Sequence, residues 1–252
     1  MQLYFIETGA VAGEQAVIGG DDYHHIVHVM RMKPGAQVQV VVGAVSYLSE
    51  IVTLADGVVT VALLKALESG SEAGVALTLV QGLPKGEKID LVIRQAAEIG
   101  VARVIVFQAE RSVAKVMPDK VVARLARWRK IAKEAAELAQ RTVVPVVESV
   151  PSFVEALARL EADAVLLVPY EAQDRPLPSL KSVLRAAGDT SVPKRVAFAI
   201  GPEGGFADAE IALAAQRGGH LLTLGRRILR TETAGLVVAT ALLYEWDLLG
   251  GE

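Results

Sequence analysis

The chain has no cysteine. Disulfide staples and thiolate metal sites are therefore excluded, and cysteine usage says nothing about redox compartment. Aromatic residues are scarce, 5% of 252, so a core drawn from the 52% of hydrophobic residues must be mainly aliphatic. No apolar run approaches the roughly 20 residues needed to cross a bilayer; the longest, Ala234 to Tyr244, falls well short. The start, MQLYFIETGA, lacks a basic segment leading into an apolar core, so no secretory signal is read and cytoplasm is the expected compartment. A positive excess is missing too. With a formal net charge of −3, any affinity for nucleic acid must come from local clusters of Lys and Arg.

What is present falls into two stretches of different pattern. Residues 1 to about 70 carry short β-branched runs, AQVQVVVG, VSYLSEIVTL and GVVTVALLKAL, separated by Gly, Asp and Ser, as expected of a small barrel or sandwich. DDYHHIVHVMRMKPG interrupts them with Ile26, Val29 and Met30 at helical spacing, Asp21 or Asp22 as the expected N-cap and Pro34-Gly35 as the stop. ESGSEAG, residues 68–74, reads as a linker. The pattern then changes to strands at VALTLVQG, RVIVFQ, VVPVVES, AVLLVPY, RVAFAIG and HLLTL, with helices near 86–99, 119–140, 151–161, 207–217 and 232–248. This alternation predicts an α/β domain with a mainly parallel sheet covered on both faces. Ligands then bind beyond the C-terminal strand ends, of which LLVPYE, FAIGPEGGF and LLTLGRRILRTETA stand out.

The segment IGPEGGF does not follow the dinucleotide spacing G-x-G-x-x-G, and no phosphate-binding G-x-x-x-x-G-K-[ST] occurs. Pro202 fixes φ and removes a donor, while Gly204 and Gly205 permit conformations closed to other residues, so a sharp, shaped turn is expected. Glu203 there would repel a phosphate and suits a cationic or amino-bearing ligand. In LGRRILRTETA, Thr231 is read as an N-cap and Glu232 as a first-turn residue complementing the helix dipole. Arg226, Arg227 and Arg230 are left at the ligand end of the sheet, where charge requires a carboxylate or phosphate partner. Upstream, KVVARLARWRKIAKEAAELAQR is an amphipathic helix with a basic outer surface, open to a solvated or an RNA-contacting role. His24 and His28 stand at i, i+4, but a zinc site would have to recruit Asp21, Asp22 or His25, and no metal is expected.

These motifs, with LPKGEKIDLVIRQAAEIGV and HHIVHVMRMKPG, resemble in order and over nearly the whole chain the RsmE family of 16S ribosomal RNA uridine-N3 methyltransferases. The resemblance implies a SPOUT-type, mostly parallel α/β domain over 75–252 with a C-terminal trefoil knot, preceded by a PUA-like β-barrel RNA-binding domain over 1–70. It implies S-adenosylmethionine held by Pro169, Tyr170, Gly201, Pro202, Glu203, Gly204, Gly205, Leu224, Gly225, Ile228, Leu229 and Arg230. Arg230 becomes the candidate for stabilising charge on the uracil carbonyls or clamping the target phosphate. Glu232 is either the proton acceptor or a dipole-complementing residue. His24, Arg31, Lys33, Arg94, Arg127 and Arg141 are the expected RNA contacts, the partner being 16S rRNA within the assembled small subunit, and the last helix, apolar on most sides, suits a homodimer. Gln95, Leu138 and Arg226 depart from the family pattern, which has lysine, glutamine and proline there. The alternatives carried alongside are another RNA target for the same chemistry and a non-catalytic RNA-binding assembly factor.

Overall fold

The computed structural model describes residues 1–68, 71–113, 118–171, 176–186 and 192–249, so Ser69 and Gly70 of the expected linker lie outside the described residues. The chain forms two compact units, one of residues 1–72 and 136–144, the other of residues 73–135 and 145–252.

The first unit is a single six-stranded sheet. Its strands are β1 (Leu3–Ile6), β2 (Val11–Ala12), β3 (Gln15–Ile18), β4 (Gln37–Val42), β5 (Val45–Ala55) and β6 (Val58–Leu67), in the order β1-β4-β5-β6-β3-β2. Gly43-Ala44 and Asp56-Gly57 make two-residue hairpin turns with positive φ throughout, a geometry that matches the twist of the strands they join. Register shifts at Leu48/Ser49 and Ile51/Thr53 bend β5 against β6, and the sheet curls around Tyr4, Ile18, Ile26, Val38, Val40, Ile51 and Val61. The sequence reading has no strand at β1, β2 or β3, of four, two and four residues, too short for a strong periodic signal.

Between β3 and β4 the expected amphipathic helix is only partly formed. α1 (Gly20–His24) passes into a π-helical turn over His25–Val29, with Met30 N–H bonded to His25 O at 2.8 Å. The extra residue in that turn rotates the later side chains, so Ile26 is buried while Val29 and Met30 are exposed. Gly19 is the N-cap, and Asp21 and Asp22 sit in the first turn instead.

Arg141, expected on an RNA-binding surface, is 2% exposed. Its Nη2 lies 2.6 Å and its Nε 3.2 Å from the two carboxylate oxygens of Glu72, whose Oε1 also accepts the N–H groups of Thr142 at 3.0 Å and Val143 at 3.2 Å. The ion pair fastens residues 136–144 to the first unit, and that burial removes Arg141 from any surface role. Helical periodicity placed it on the basic face, but α3 ends at Leu138 and Arg141 lies beyond it.

In the second unit β7 (Ala76–Gly82), β8 (Arg103–Phe107), β9 (Val146–Val150), β10 (Val165–Pro169), β11 (Arg195–Ile200) and β12 (His220–Leu222) form a parallel sheet ordered β12-β10-β11-β7-β8-β9. All six strands of this sheet carry the runs read from sequence. Alternate residues face two apolar layers. Leu77, Leu79, Val104 and Phe198 pack with Ile93, Trp128, Val238 and Leu242 on one side; Val80, Ile105, Phe107 and Ala197 pack with Phe153, Phe206 and Ile211 on the other. The helices are α2 (Lys88–Glu98), α3 (Val121–Leu138), α4 (Phe153–Ala158), α5 (Leu180–Ala186), α6 (Asp208–Gln216) and α7 (Thr231–Glu245). Of these, α5 escaped the sequence reading. α2 and α7 lie side by side on one face, with α7 reaching β7 and β11, while α4 and α6 cover the other.

Glu72→Ala removes the carboxylate that pairs with the buried Arg141 guanidinium. The expected loss is about 3 kcal/mol, read from the urea unfolding midpoint; an unchanged midpoint would show that the pair does not fasten this segment.

Candidate functional site

The C-terminal ends of β10 and β11, the last residues of the loop after β12 and the start of α7 line a cleft of about 960 Å³. Its floor is the glycine segment. After β11, Gly205 N–H donates to Pro202 O at 2.9 Å, with Gly205 at φ +67°, and Phe206 then packs against Phe107 and Phe153. The turn is pressed on neighbouring backbone: a Cβ on Gly204 would stand 2.7 Å from Arg111 O, and one on Gly82 2.6 Å from Pro202 Cδ. Only glycine fits at either place. Glu210, in the first turn of α6, accepts Ala207 N–H at 2.8 Å and Glu110 N–H at 3.2 Å, fixing the far side of the loop.

Glu203 is not the free anion that the sequence suggested for a cationic ligand. Both its oxygens lie 3.2 Å from Lys85 N–H, and Lys88 Nζ donates to Oε1 at 2.7 Å. Burial pushes its carboxyl up, but the Lys88 and backbone hydrogen bonds prevail and hold it below the usual value; the same bond to Glu203 raises Lys88. The glutamate thus ties the glycine loop to the β7–α2 connection.

The second motif meets the first through Thr231. Arg230 occupies the N-cap position without a side-chain cap bond, so the expected Thr231 cap is not formed. Thr231, 7% exposed, instead donates its hydroxyl to Gly201 O at 2.7 Å and accepts from Gln81 Nε2 at 2.9 Å. Glu232 is in the first turn, its side chain 12% exposed, with Oε1 3.9 Å from Arg230 Nη1 and Oε2 3.5 Å from Lys88 Nζ. Arg226, Arg227 and Arg230 are exposed, which resolves the cost of their charge by hydration. Before them, Thr223 Oγ1 accepts Gly225 N–H at 3.1 Å, and Gly225 adopts φ +108°.

Of the residues singled out for a cofactor, Pro169, Tyr170, Gly201, Pro202, Glu203, Gly204, Gly205, Ile228, Leu229 and Arg230 line the large cleft, and so does Glu232. Leu224 and Gly225 line an adjoining pocket of about 160 Å³ that shares Pro169, Tyr170, Ile228 and Leu229. Lys88, Arg111 and Thr231 also line the cleft, and the sequence reading gave them no role there. Lys88 was detectable: KGEK follows the C-terminal end of β7, by the same rule that flagged the other three strand ends.

None of the RNA candidates is among the residues that line the cleft. In the first unit His24, Arg31 and Lys33 are exposed, His24 packing on His28 with ring centroids 4.9 Å apart and Arg31 ending the π turn at φ +52°. Beneath them Tyr4 OH pairs with His25 Nδ1 at 3.0 Å, and burial, then the Asp22 and Glu137 charges, push the phenol well above its usual range. In the second unit Arg94 is exposed, and Arg127 is exposed but paired with Asp90 and, at 3.4 Å, Glu87. Among the described residues no group of three His, Cys, Asp or Glu is arranged to hold a metal, and no helix is long and apolar enough to cross a membrane.

A parallel sheet with a ligand cleft at a cluster of strand ends, following a curled β unit, defines a class that comparison identifies. A family described as "RNA methyltransferase domain" matches residues 71–243, and one described as "RNA methyltransferase PUA domain" matches residues 18–61. Ribosomal RNA small subunit methyltransferase E of Bacillus subtilis is 35% identical, covering 100% of each chain. The protein of that name from Neisseria gonorrhoeae, solved bound to S-adenosyl methionine, superposes with a TM-score of 0.82 at 25% identity, covering 98% of each chain. A putative methyltransferase of Legionella pneumophila, solved with its bound cofactor SAM, gives 0.83 at 26% identity and 96% of each chain. The chain belongs to the RsmE family of RNA methyltransferases.

The two glycines are expected to respond differently to substitution. Gly204→Ala drives a Cβ into Arg111 backbone and costs about 1–3 kcal/mol. Gly205→Asn, whose Cβ meets nothing within 4 Å and whose side chain tolerates positive φ, leaves the unfolding midpoint nearly unchanged. Equal losses in chemical denaturation would contradict the packing described.

Proposed function

We propose that the chain is an S-adenosylmethionine-dependent methyltransferase that methylates N3 of a uridine in 16S ribosomal RNA. The observation that carries this is the meeting of GPEGGF and LGRRILRTETA across one cleft, in a chain whose full-length relatives are named for the small-subunit RNA. The fit to the cofactor is supported by open space at two glycines of the lining: a Cβ on Gly205, in the cleft, or on Gly225, in the adjoining pocket, would meet nothing within 4 Å. A volume near 960 Å³ also suits a large ligand.

The cofactor supplies an electrophilic methyl group. Gly201, Pro202, Gly204 and Gly205 offer backbone groups on one wall, Pro169 and Tyr170 a second, and Leu224, Gly225, Ile228 and Leu229 a third. Methylation at N3 requires loss of the N3 proton, and the resulting charge spreads over the flanking carbonyl oxygens. Arg230, its side chain 83% exposed at the cleft rim and only loosely paired with Glu232, is free to turn its guanidinium to that charge. Glu232 lines the same cleft and takes the proton in this reading.

The first unit is the RNA-binding module, with His24, Arg31 and Lys33 on its surface and Arg94 and Arg127 contributing from the second. The domains of this reading divide at 1–70 and 75–252, with residues 136–144 grouped with the first unit. The chain route supports a trefoil knot: from β12 at the sheet edge, residues 223–230 return so that α7 packs on β7, β11 and α2 near the middle of the sheet. On α7, Val237 and Tyr244 are exposed one heptad apart, two large side chains in keeping with a homodimer. A substrate within the small ribosomal subunit makes the cytoplasm the working compartment.

The test is transfer of labelled methyl from S-adenosylmethionine to small subunits from cells lacking the endogenous enzyme, with mass analysis of the digested nucleosides. Label is expected as 3-methyluridine, with Arg230→Ala lowering kcat about 100-fold. A wild-type protein that binds the cofactor yet labels neither isolated RNA nor subunits would overturn the reading.

A further inference from the structure

Lys88 belongs to neither motif, yet its ammonium reaches both. It lies 2.7 Å from Glu203 Oε1 in the glycine loop and 3.5 Å from Glu232 Oε2 in the first turn of α7. Two carboxylates from distant parts of the chain converge here on one cleft, and their mutual repulsion would drive the two motifs apart. Glu232 is the more demanding of the pair. Its Oε2 is sealed from solvent and has no hydrogen bond. Arg230 approaches the other oxygen at 3.9 Å, which leaves Lys88 as the cation facing Oε2. Lys88 is itself fixed by its place at the start of α2, whose preceding turn holds Glu203 a second time through Lys85 N–H. The lysine therefore stands on a third segment, independent of both motifs, with its charge between their acids.

Resting on the methyltransferase reading, we propose that Lys88 is a positioning residue: one ammonium neutralises Glu203 and Glu232 together and so sets the separation between the cofactor-binding loop and the proton-accepting carboxylate. The role has two arms. Through Glu203 it holds the glycine loop in its cofactor-binding shape; through Glu232 it holds the carboxylate at a fixed distance from the acceptor base. A lysine that merely solvated the helix start would serve neither. Methionine at this position keeps the length of the side chain and loses the charge; arginine keeps the charge.

The experiment is calorimetric titration of S-adenosylmethionine together with steady-state methylation of small subunits at saturating cofactor, for wild type, Lys88→Met, Lys88→Arg and the double variant Lys88→Met/Glu203→Gln. Lys88→Met is expected to raise the cofactor Kd about tenfold and to lower kcat about 10- to 100-fold, because loop and carboxylate are both displaced. Lys88→Arg restores most of both, and adding Glu203→Gln to Lys88→Met weakens cofactor binding no further. A lysine needed only for folding would shift the unfolding midpoint and leave kcat at saturation unchanged, and that result overturns the bridge. So does a double variant whose losses add. Absence of cofactor binding by the wild-type protein would instead overturn the functional reading on which the bridge rests, which separates the two failures.

Discussion

The cleft depends on a single buried hydroxyl. Thr231 gives its proton to the carbonyl of Gly201 and takes one from the amide of Gln81, so the ends of β7 and β11 and the start of α7 are registered at one oxygen atom. Gln81 is fully buried, and its orientation is settled by the bond from Nε2 to Gly82 O, which only the nitrogen can make. Its own Oε1 is left without a hydrogen-bond partner. Burying such an acceptor costs about 1–3 kcal/mol, so the arrangement is not what stability alone would select. Local rules are broken where function needs a particular geometry, and here the geometry kept is the meeting of two ligand-lining loops.

Around this point, close packing and charge divide the remaining work. Glycines at 82, 201 and 204 let backbone lie against backbone without an intervening Cβ, which makes the loop wall thin and its shape determinate. The aromatic cluster of Phe107, Phe153 and Phe206 anchors the outgoing end of that loop in the second apolar layer. Lys88 and Glu203 hold the loop's outer side, and Glu210 holds the start of α6. The cleft is therefore rigid on the side of the glycine motif. On the side of the arginines it is open to solvent, with Ile228 78% exposed at its lip, the side on which a macromolecular substrate can enter.

Much of this was legible because it is written locally. β-Branched runs and helical spacings mark every strand of the parallel sheet, and the rule that ligands bind at carboxyl strand ends singles out three of the segments that line the cavities, while the individual cofactor residues in them come from the family resemblance. What escaped was non-local or broke a local rule. Thr231 looks like an N-cap by its neighbours, and nothing near it in sequence announces Gly201 or Gln81. Glu203 looks like a ligand group until Lys85 and Lys88, more than a hundred residues away, are seen to occupy it. Arg141 fits the basic face of a helix by periodicity, but the helix stops before it and the carboxylate that buries it lies at Glu72. A period of 3.6 residues per turn puts Val29 and Met30 on one face with Ile26, a period that the π turn does not keep.

The measurement that bears most directly on this account is the S-adenosylmethionine affinity of Thr231→Val beside that of Thr231→Ser, by calorimetry on folded protein. Valine keeps the shape and removes the hydroxyl, leaving Gly201 O and the Gln81 amide without their shared partner. Losing about 1–3 kcal/mol of such hydrogen bonding predicts an affinity about 5- to 150-fold weaker for valine and close to wild type for serine. Wild-type affinity in Thr231→Val would contradict the claim that this hydroxyl sets the register of the two loops.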